Sequence, residues 1–327
     1  MNLKDINLLQ GLSTYRSQLM GVAIIWIMLF HSGIDAPDSF IPRVLWYLFV
    51  SFGGGIGVDI FFILSGFGLV FSASKLTNNS QWWTWVRKRM IRVLPSYLIV
   101  AIVAYSIRGG VSVYNMLQIN FLADGVRDFW FIPAIVLCYL VFPFLYMLSK
   151  KMGMRPMCGV ALFLCIALYC FIYCLSPEYY KKLEVFLLRI PCFIWGVYCG
   201  WLCKEKLYGE YVLNIFLSLV LCPLSFYLSF LGSDRWIFFF GTIIFLQFLI
   251  SLFYFLRLKS FHNLFSYFGS RSLQIYLVHI GWGFPIARYV TDNQSIQLFI
   301  YFVTSLVVAE IIYRITNPLV KVTKKIR

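Results

Sequence analysis

Two titratable side chains inside apolar stretches are the first candidates for chemistry. His31 lies near the end of YRSQLMGVAIIWIMLFHSG, and Asp59 lies within GGGIGVDIFFILSGF. Ionisable groups at membrane depth are costly, so they are functional candidates by default. An imidazole oriented by a carboxylate forms an acid–base dyad, and His31 with Asp59 is predicted to be one. The alternative for Asp59 is a packing carboxylate that caps a broken backbone beside the glycines at 53–55 and 57.

Arginines form the second group of candidates. A helix would separate Arg16 from His31 by roughly 22 Å, which is most of a hydrocarbon core. Arg89 and Arg92 are three residues apart, on one predicted helix face just before Pro95, and this placement suits a phosphate-bearing ligand. The alternative is that they only anchor the chain at the membrane surface, as basic flanking residues do.

Other polar residues in apolar stretches have simpler interpretations. For His279, in SLQIYLVH, a satisfied polar contact and a direct role both stay open. Glu310 and Arg314 are four residues apart and are expected to pair on one helix face. The nine cysteines show no CxxC or Cys/His spacing, so we expect small core side chains rather than disulfides or metal ligands. No zinc or iron pattern and no Gly-rich loop with a lysine appears, so no metal is predicted.

These residues must be positioned by helices that cross a bilayer. The 327 residues are 61% hydrophobic and 13% charged, whereas about a quarter of a soluble domain is charged. Apolar runs near 20 residues long predict an all-α polytopic membrane bundle in one domain over 1–327, with no appended soluble domain and the first span retained. The short stretch 41–52 is expected to lie at the interface or to re-enter. About ten spans are predicted, at 17–33, 54–73, 91–107, 129–148, 156–175, 184–203, 211–231, 235–256, 267–288 and 295–317.

Basic residues set the predicted orientation. The chain has 28 Lys and Arg against 13 Asp and Glu, for a formal charge of +15. With a cytoplasmic N-terminus, 19 of these 28 basic residues fall in cytoplasmic segments, as positive-inside topology requires. Both termini are then cytoplasmic, and His31 and Asp59 lie at one depth near the outer face. Nucleic acid is not indicated as a partner, because the basic residues sit in short loops between spans.

Five segments together resemble acyltransferase family 3, the bacterial membrane O-acyltransferases. They are MGVAIIWIMLFH, GGGIGVDIFFILSGF, RKRMIRVLPSYLI, DFWFIPAIVLCYLVFP and SLQIYLVH, and GVDIFFILSGF is the most specific. The resemblance covers nearly the whole chain and implies about ten helices in the bacterial cytoplasmic (inner) membrane. It also implies cytoplasmic acyl-CoA, commonly acetyl-CoA, as the donor, and a hydroxyl of a cell-envelope glycan as the acceptor.

The same resemblance assigns residues. His31 matches the family's first-helix histidine, Asp59 the acid of the GVD motif, and Arg89 and Arg92 the basic stretch before Pro-x-Tyr. The family's usual arginine lies eleven residues before the histidine, where this chain has Met20. Arg16 lies one helical turn earlier on the same face. Where the family often ends in Glu-x-Pro, this chain has Thr-Asn-Pro at 316–318.

The predicted function is an integral-membrane O-acyltransferase that acts from cytoplasmic acyl-CoA on an extracytoplasmic or lipid-linked sugar or polysaccharide. His31 is the predicted general base or transient acyl carrier, and Asp59 holds its tautomer. Arg16, Arg89 and Arg92 are predicted to bind the CoA phosphates. The alternative is a transporter or flippase for a lipid-linked or small sugar, although the inverted repeat common in such proteins is not visible. A sensor or assembly subunit is a third possibility.

Overall fold

The computed structural model describes residues 8–32, 52–76, 81–231, 237–256 and 258–325. Over these ranges the chain forms helices joined by short turns and contains no strand, which confirms the predicted all-α class. The helices are α1 (Leu8–Thr14), α2 (Arg16–His31), α3 (Phe52–Ala73), α4 (Gln81–Ile107), α5 (Val113–Met116), α6 (Ile119–Asp124), α7 (Phe131–Met152), α8 (Met154–Leu175), α9 (Pro177–Leu187), α10 (Ile190–Glu205), α11 (Tyr208–Leu231), α12 (Ile237–Phe255), α13 (Lys259–Ser270), α14 (Ser272–Val278), α15 (Phe284–Val290) and α16 (Gln294–Lys325).

Long apolar helices dominate this arrangement. Six helical segments of the described chain are long and apolar enough to cross a membrane, and three shorter apolar helices accompany them. The middle of each of the ten predicted spans is helical. The count of about ten membrane crossings and the cytoplasmic placement of both termini stay predictions. The stretch 41–52, expected at the interface, lies outside the described residues except for Phe52.

The helix α3 lies at the centre of the bundle and packs most extensively on α10 and α2. The backbones of α3 and α10 approach closely through one glycine on each side. A Cβ at Gly66 would lie 2.3 Å from the Phe193 carbonyl oxygen, and a Cβ at Gly196 would lie 2.1 Å from that of Ile63. Only residues without a side chain allow this contact. The segment GVDIFFILSGF therefore belongs to the most tightly packed interface of the fold.

An interrupted helix packs against α4 and α16. It consists of α14, a π-helical segment over His279–Gly283, and α15. Such segments are frequent at functional sites. Arg108, which follows the last residue of α4, donates from Nη2 to the carbonyl oxygens of Ile280 (3.0 Å) and Gly281 (3.4 Å). Trp282 Nε1 donates to the carbonyl oxygen of Val100, which lies on α4 (3.2 Å). These bonds hold the segment against α4 with His279 at its start.

The cysteine prediction is confirmed in part. The side chains of eight of the nine cysteines are described; these eight are free thiols, and five are buried: Cys138, Cys158, Cys165, Cys192 and Cys199. Cys170 and Cys174 are exposed on α8, so the expectation of core positions is wrong for these two. Large apolar side chains of α8, such as Phe163 and Phe171, are exposed beside them. The hydropathy of a membrane helix is similar on its buried and lipid-facing sides, so composition alone does not tell the two apart.

Candidate active site

Two histidines meet at one end of the bundle. His31 is the last residue of α2, and His279 is the first residue of the π-helical segment. The Nε2 atom of His279 lies 3.3 Å from Nδ1 of His31, and their ring centroids are 5.3 Å apart. His279 is fully buried, whereas His31 is only partly buried. His279 therefore makes a direct contact with the predicted base.

Backbone carbonyls define the tautomers of this pair. Nδ1 of His31 lies 3.0 Å from the Ile27 carbonyl oxygen, and Nδ1 of His279 lies 2.8 Å from that of Ile275. A carbonyl oxygen only accepts, so each Nδ1 carries the proton and each neutral ring has its lone pair on Nε2. The His31 N–H is then shared between the Ile27 oxygen and His279 Nε2. The free lone pair of His31 Nε2 can act as a base.

Asp59 does not contact His31. Its Oδ1 lies 2.9 Å from Nη1 of Arg189, and its Oδ2 accepts a 3.0 Å hydrogen bond from the Thr242 hydroxyl. Asp59 and Arg189 are both buried. The carboxylate therefore belongs to an ion pair that joins α3 to the start of α10 and to α12. The expected direct His31–Asp59 pairing is wrong.

Helix geometry explains why Asp59 points elsewhere. Gly57 is the residue of α3 that faces α2, because a Cβ there would lie 2.8 Å from the Ala23 carbonyl oxygen. Asp59 follows two residues later, which is roughly 200° around the helix, so it faces away from α2. The helix is continuous over Phe52–Ala73, so Asp59 does not cap a broken backbone either. At Gly57 the absence of a side chain instead allows α2 and α3 to approach closely.

Arg16 reaches from the start of α2 onto α3. Its Nη2 donates to the Leu64 carbonyl oxygen at 3.2 Å, and its guanidinium lies against Gly68, where a Cβ would be 2.8 Å from Nη2. Its Nε atom is buried without a hydrogen-bond partner. The displacement of one turn from Met20 does not remove Arg16 from the site, because Arg16 and Met20 line the same cavity.

Arg89 and Arg92 complete a cluster of three cations. Both lie on α4, which is helical from Gln81, so their spacing of three residues does place them on one helix face. Arg89 lies over the Trp85 ring at 5.0 Å and has a buried, unpaired Nε. Arg16 interacts electrostatically with Arg92, and Arg89 with both. No carboxylate of the described residues forms an ion pair with any of the three.

A cavity of about 280 Å³ begins at two of these arginines. Arg16 and Arg92 lie in its wall together with Tyr139 and with polar side chains of α14 and α16, and Ile27 and Tyr276 belong to the same wall. Ile27 provides the carbonyl that holds His31, and the Tyr276 ring lies 5.7 Å from that of His279. The cavity therefore extends from the cationic cluster to within one helical turn of the histidine pair.

The face of α2 that lines this cavity follows a helical period. At 100° per residue, Met20, Ile27 and His31 lie within roughly 60° of Arg16 around the helix axis. Arg16 and Ile27 are separated by roughly 16 Å along that axis. One helix thus carries the cation at one end of the cavity and the imidazole just beyond the other.

The carboxylate of Glu310 on α16 has a structural role. Glu310 Oε1 accepts a 2.7 Å bond from Nε of Arg314, as predicted from their spacing. The same carboxylate also bonds Arg271 and the Tyr267 hydroxyl, which the spacing did not indicate. These contacts join α13 and α14 to α16, so Glu310 is satisfied by neighbours and holds the helices beside the cavity.

Sequence reasoning missed several residues that the site uses. Arg189, which forms the ion pair with Asp59, is not among the residues predicted from the sequence. Its place in YYKKLEVFLLRIPCF, deep in an apolar run, is a signal of the same kind as that of Asp59. Nothing in the sequence singles out Thr242, because residues with a hydroxyl group are common in apolar helices. No group of His, Cys, Asp and Glu in the described chain has the arrangement of a metal site.

Comparison with known proteins gives one match. The family model described as an acyltransferase domain, that of acyltransferase family 3, matches residues 19–314 and so spans nearly the whole chain. No curated protein and no solved structure matches. The match covers His31, Asp59, Arg89, Arg92 and His279, but it begins after Arg16. Together with the apolar helices, it identifies a multi-pass membrane protein with an acyltransferase domain.

Proposed function

We propose that this chain, which belongs to acyltransferase family 3, moves an acyl group, commonly acetyl, from cytoplasmic acyl-CoA to a sugar hydroxyl. The acceptor is an extracytoplasmic or lipid-linked sugar or polysaccharide, and the membrane is the bacterial cytoplasmic membrane. One observation carries the proposal. A single cavity extends from Arg16 and Arg92, which have no ion-pair partner among the described residues, to within one helical turn of a histidine pair that holds a free basic nitrogen.

The arginines are suited to the donor's phosphates. Guanidinium groups bind phosphate through paired N–H donors, and mutual repulsion between Arg16, Arg89 and Arg92 is relieved when an anion binds among them. Arg16 and Arg89 each retain a buried N–H without a partner. The acyl-pantetheine arm then extends along the α2 face past Met20 and Ile27, which brings the thioester towards His31.

The transfer step uses His31 as the base. Nε2 of His31 takes the proton from the acceptor hydroxyl as its oxygen attacks the thioester carbonyl carbon. The new C–O bond forms, the C–S bond breaks, and the proton passes from His31 to the departing CoA thiolate. Such proton transfer typically accelerates a reaction by about 10²–10⁴-fold. The charged ring is stabilised by two acceptors at Nδ1, the Ile27 oxygen and His279 Nε2.

Asp59 has a positioning role in this proposal. Its ion pair with Arg189 fixes α3 between α10 and α12. The neighbouring residues Val58 and Phe61 line the cavity, and Gly68 accommodates Arg16. Asp59 thus affects the reaction through the shape of the donor site. In place of Asp59, His279 and the Ile27 carbonyl hold the His31 tautomer.

The decisive experiment uses purified full-length protein in nanodiscs with acetyl-CoA and a panel of envelope sugars and lipid-linked sugars. We expect release of free CoA thiol together with acetylated sugar, both dependent on His31. Accumulation of sugar across a proteoliposome membrane without thiol release would instead identify a transporter. Absence of acetyl-CoA binding would overturn the assignment of the donor.

A further inference from the structure

Three glutamines in the described chain have a buried Oε1 atom without a hydrogen-bond partner. They are Gln118, Gln247 and Gln274. Only Gln274, on α14, lies in the wall of the cavity. A buried acceptor without a partner is costly, so an acceptor beside a ligand cavity points to a donor on the ligand.

A chain of hydrogen bonds fixes the orientation of the Gln274 amide. The Thr316 hydroxyl donates to the Ile312 carbonyl oxygen at 2.9 Å, which uses its single proton. Thr316 Oγ1 therefore accepts from the Ser96 hydroxyl, at 3.0 Å. Ser96 Oγ in turn accepts from Nε2 of Gln274, at 2.9 Å. A flipped amide would present Oε1 to an oxygen with no proton left to donate.

This chain begins in α16, crosses α4 and ends on α14, and its members are buried. It uses Nε2 of Gln274 in a bond to Ser96, so Oε1 is the amide atom of this cavity-lining residue that still lacks a partner. Gln274 precedes His279 by five residues, which is roughly 7 Å along the helix axis. A group that bonds Gln274 is therefore a short distance from the reacting centre, on the side of the arginines.

We propose that Gln274 Oε1 accepts a hydrogen bond from an amide N–H of the donor's pantetheine arm, and this inference rests on the proposed function. The arm joins the phosphates to the thioester and carries amide groups, one of them separated from sulfur only by a short ethylene link. Gln274 then sets the depth at which the thioester stops and selects donors that carry an amide at this point.

Equilibrium binding to purified full-length protein in detergent tests this inference. The two ligands are acetyl-CoA and adenosine 3′,5′-bisphosphate, which has phosphates but no arm. We expect Gln274→Met to weaken acetyl-CoA binding about 10-fold and to leave bisphosphate binding unchanged. Gln247→Met is the matched control, because Gln247 is also buried with an unpaired Oε1 but does not line the cavity. It should change neither affinity.

Two further measurements keep the test independent of how well Gln274→Met folds. Ser96→Ala removes the acceptor of Gln274 Nε2. We expect it to weaken acetyl-CoA binding by less than Gln274→Met does and to leave bisphosphate binding unchanged. An analogue of acetyl-CoA with an ester in place of the amide nearest the sulfur should bind the unsubstituted protein about as weakly as Gln274→Met binds acetyl-CoA.

The outcomes separate this inference from the proposed function. If the unsubstituted protein binds acetyl-CoA, and Gln274→Met or the ester analogue binds with unchanged affinity, the role of Gln274 is overturned and the donor assignment stands. If Gln274→Met weakens the binding of acetyl-CoA and of the bisphosphate equally, the role of Gln274 is also overturned, because the residue would then be structural. If the unsubstituted protein does not bind acetyl-CoA at all, the proposed donor fails, and the inference fails with it.

Discussion

Nδ1 of His31 lies 3.3 Å from Nε2 of His279, a residue 248 positions further along the chain. This contact joins the end of α2 to the π-helical segment, and each ring also bonds the carbonyl four residues before it. The arrangement resembles an acid–base dyad in which a neutral imidazole replaces the carboxylate. It differs from a carboxylate dyad because the partner contributes no negative charge to stabilise the imidazolium.

Removing the base should abolish transfer. We expect His31→Ala to lower the rate of acetyl transfer by at least about 100-fold, because no other described side chain offers a free basic nitrogen at this point. The rate is measured as acetylated acceptor formed from labelled acetyl-CoA. His262→Ala is the control, since His262 bonds the Leu256 carbonyl away from the cavity. Retained activity in His31→Ala would rule out the catalytic assignment.

The role of His279 can be separated from simple packing. His279→Gln keeps an acceptor for the His31 N–H, whereas His279→Leu removes it. We expect kcat to fall roughly 10-fold more in His279→Leu than in His279→Gln, in line with the loss of one hydrogen bond to a charged group. The KM for acetyl-CoA should not differ between them. Equal kcat values in two folded variants would mean that His279 only fills space.

The arginine cluster should govern donor affinity. Arg16→Gln, Arg89→Gln and Arg92→Gln are each expected to weaken acetyl-CoA binding by roughly 10-fold or more, because each removes a charged hydrogen-bond donor. The loss should shrink as salt is added, since the interaction is partly screened. Arg314→Gln is the control, because its exposed side chain pairs with Glu310 instead. If affinity does not change, the three residues only set topology.

The buried ion pair should govern stability. Asp59→Asn leaves Arg189 as a buried charge without its partner, which we expect to destabilise the protein by about 3–5 kcal/mol. The double variant Asp59→Asn with Arg189→Met should recover much of this loss, since no buried charge remains. Thermal melting in detergent measures both. The specific activity of the folded double variant tests whether Asp59 only positions helices. A fully stable double variant without activity would show that Asp59 takes part in catalysis.

The glycine beside Arg16 offers a test of the donor site that leaves all charges in place. A side chain at Gly68 would meet the Arg16 guanidinium, so Gly68→Val should displace it and weaken acetyl-CoA binding several-fold. Gly159→Val is a suitable control, because nothing lies near a Cβ at Gly159 on α8. If Gly68→Val binds acetyl-CoA with unchanged affinity, Arg16 does not bind the donor from its position against Gly68.

The sequence by itself determined the features that depend on one helix at a time. Runs of apolar residues specify helices of membrane length, and a period of 3.6 residues places Arg16, Met20 and His31 on one face of α2. The same local geometry pairs Glu310 with Arg314 and places Arg89 beside Arg92. These expectations needed no knowledge of which helices are neighbours.

Only the tertiary structure decided which helix faces meet. Asp59 pairs with Arg189 rather than His31 because α3 presents Gly57 to α2 and turns its next polar residue to α10 and α12. His279 reaches His31 across 248 residues, and Gln274 is oriented by side chains from two other helices. Helix packing depends on small residues and shape rather than on hydropathy, which is nearly uniform along these spans. The partners of buried polar groups are therefore set by close packing in three dimensions.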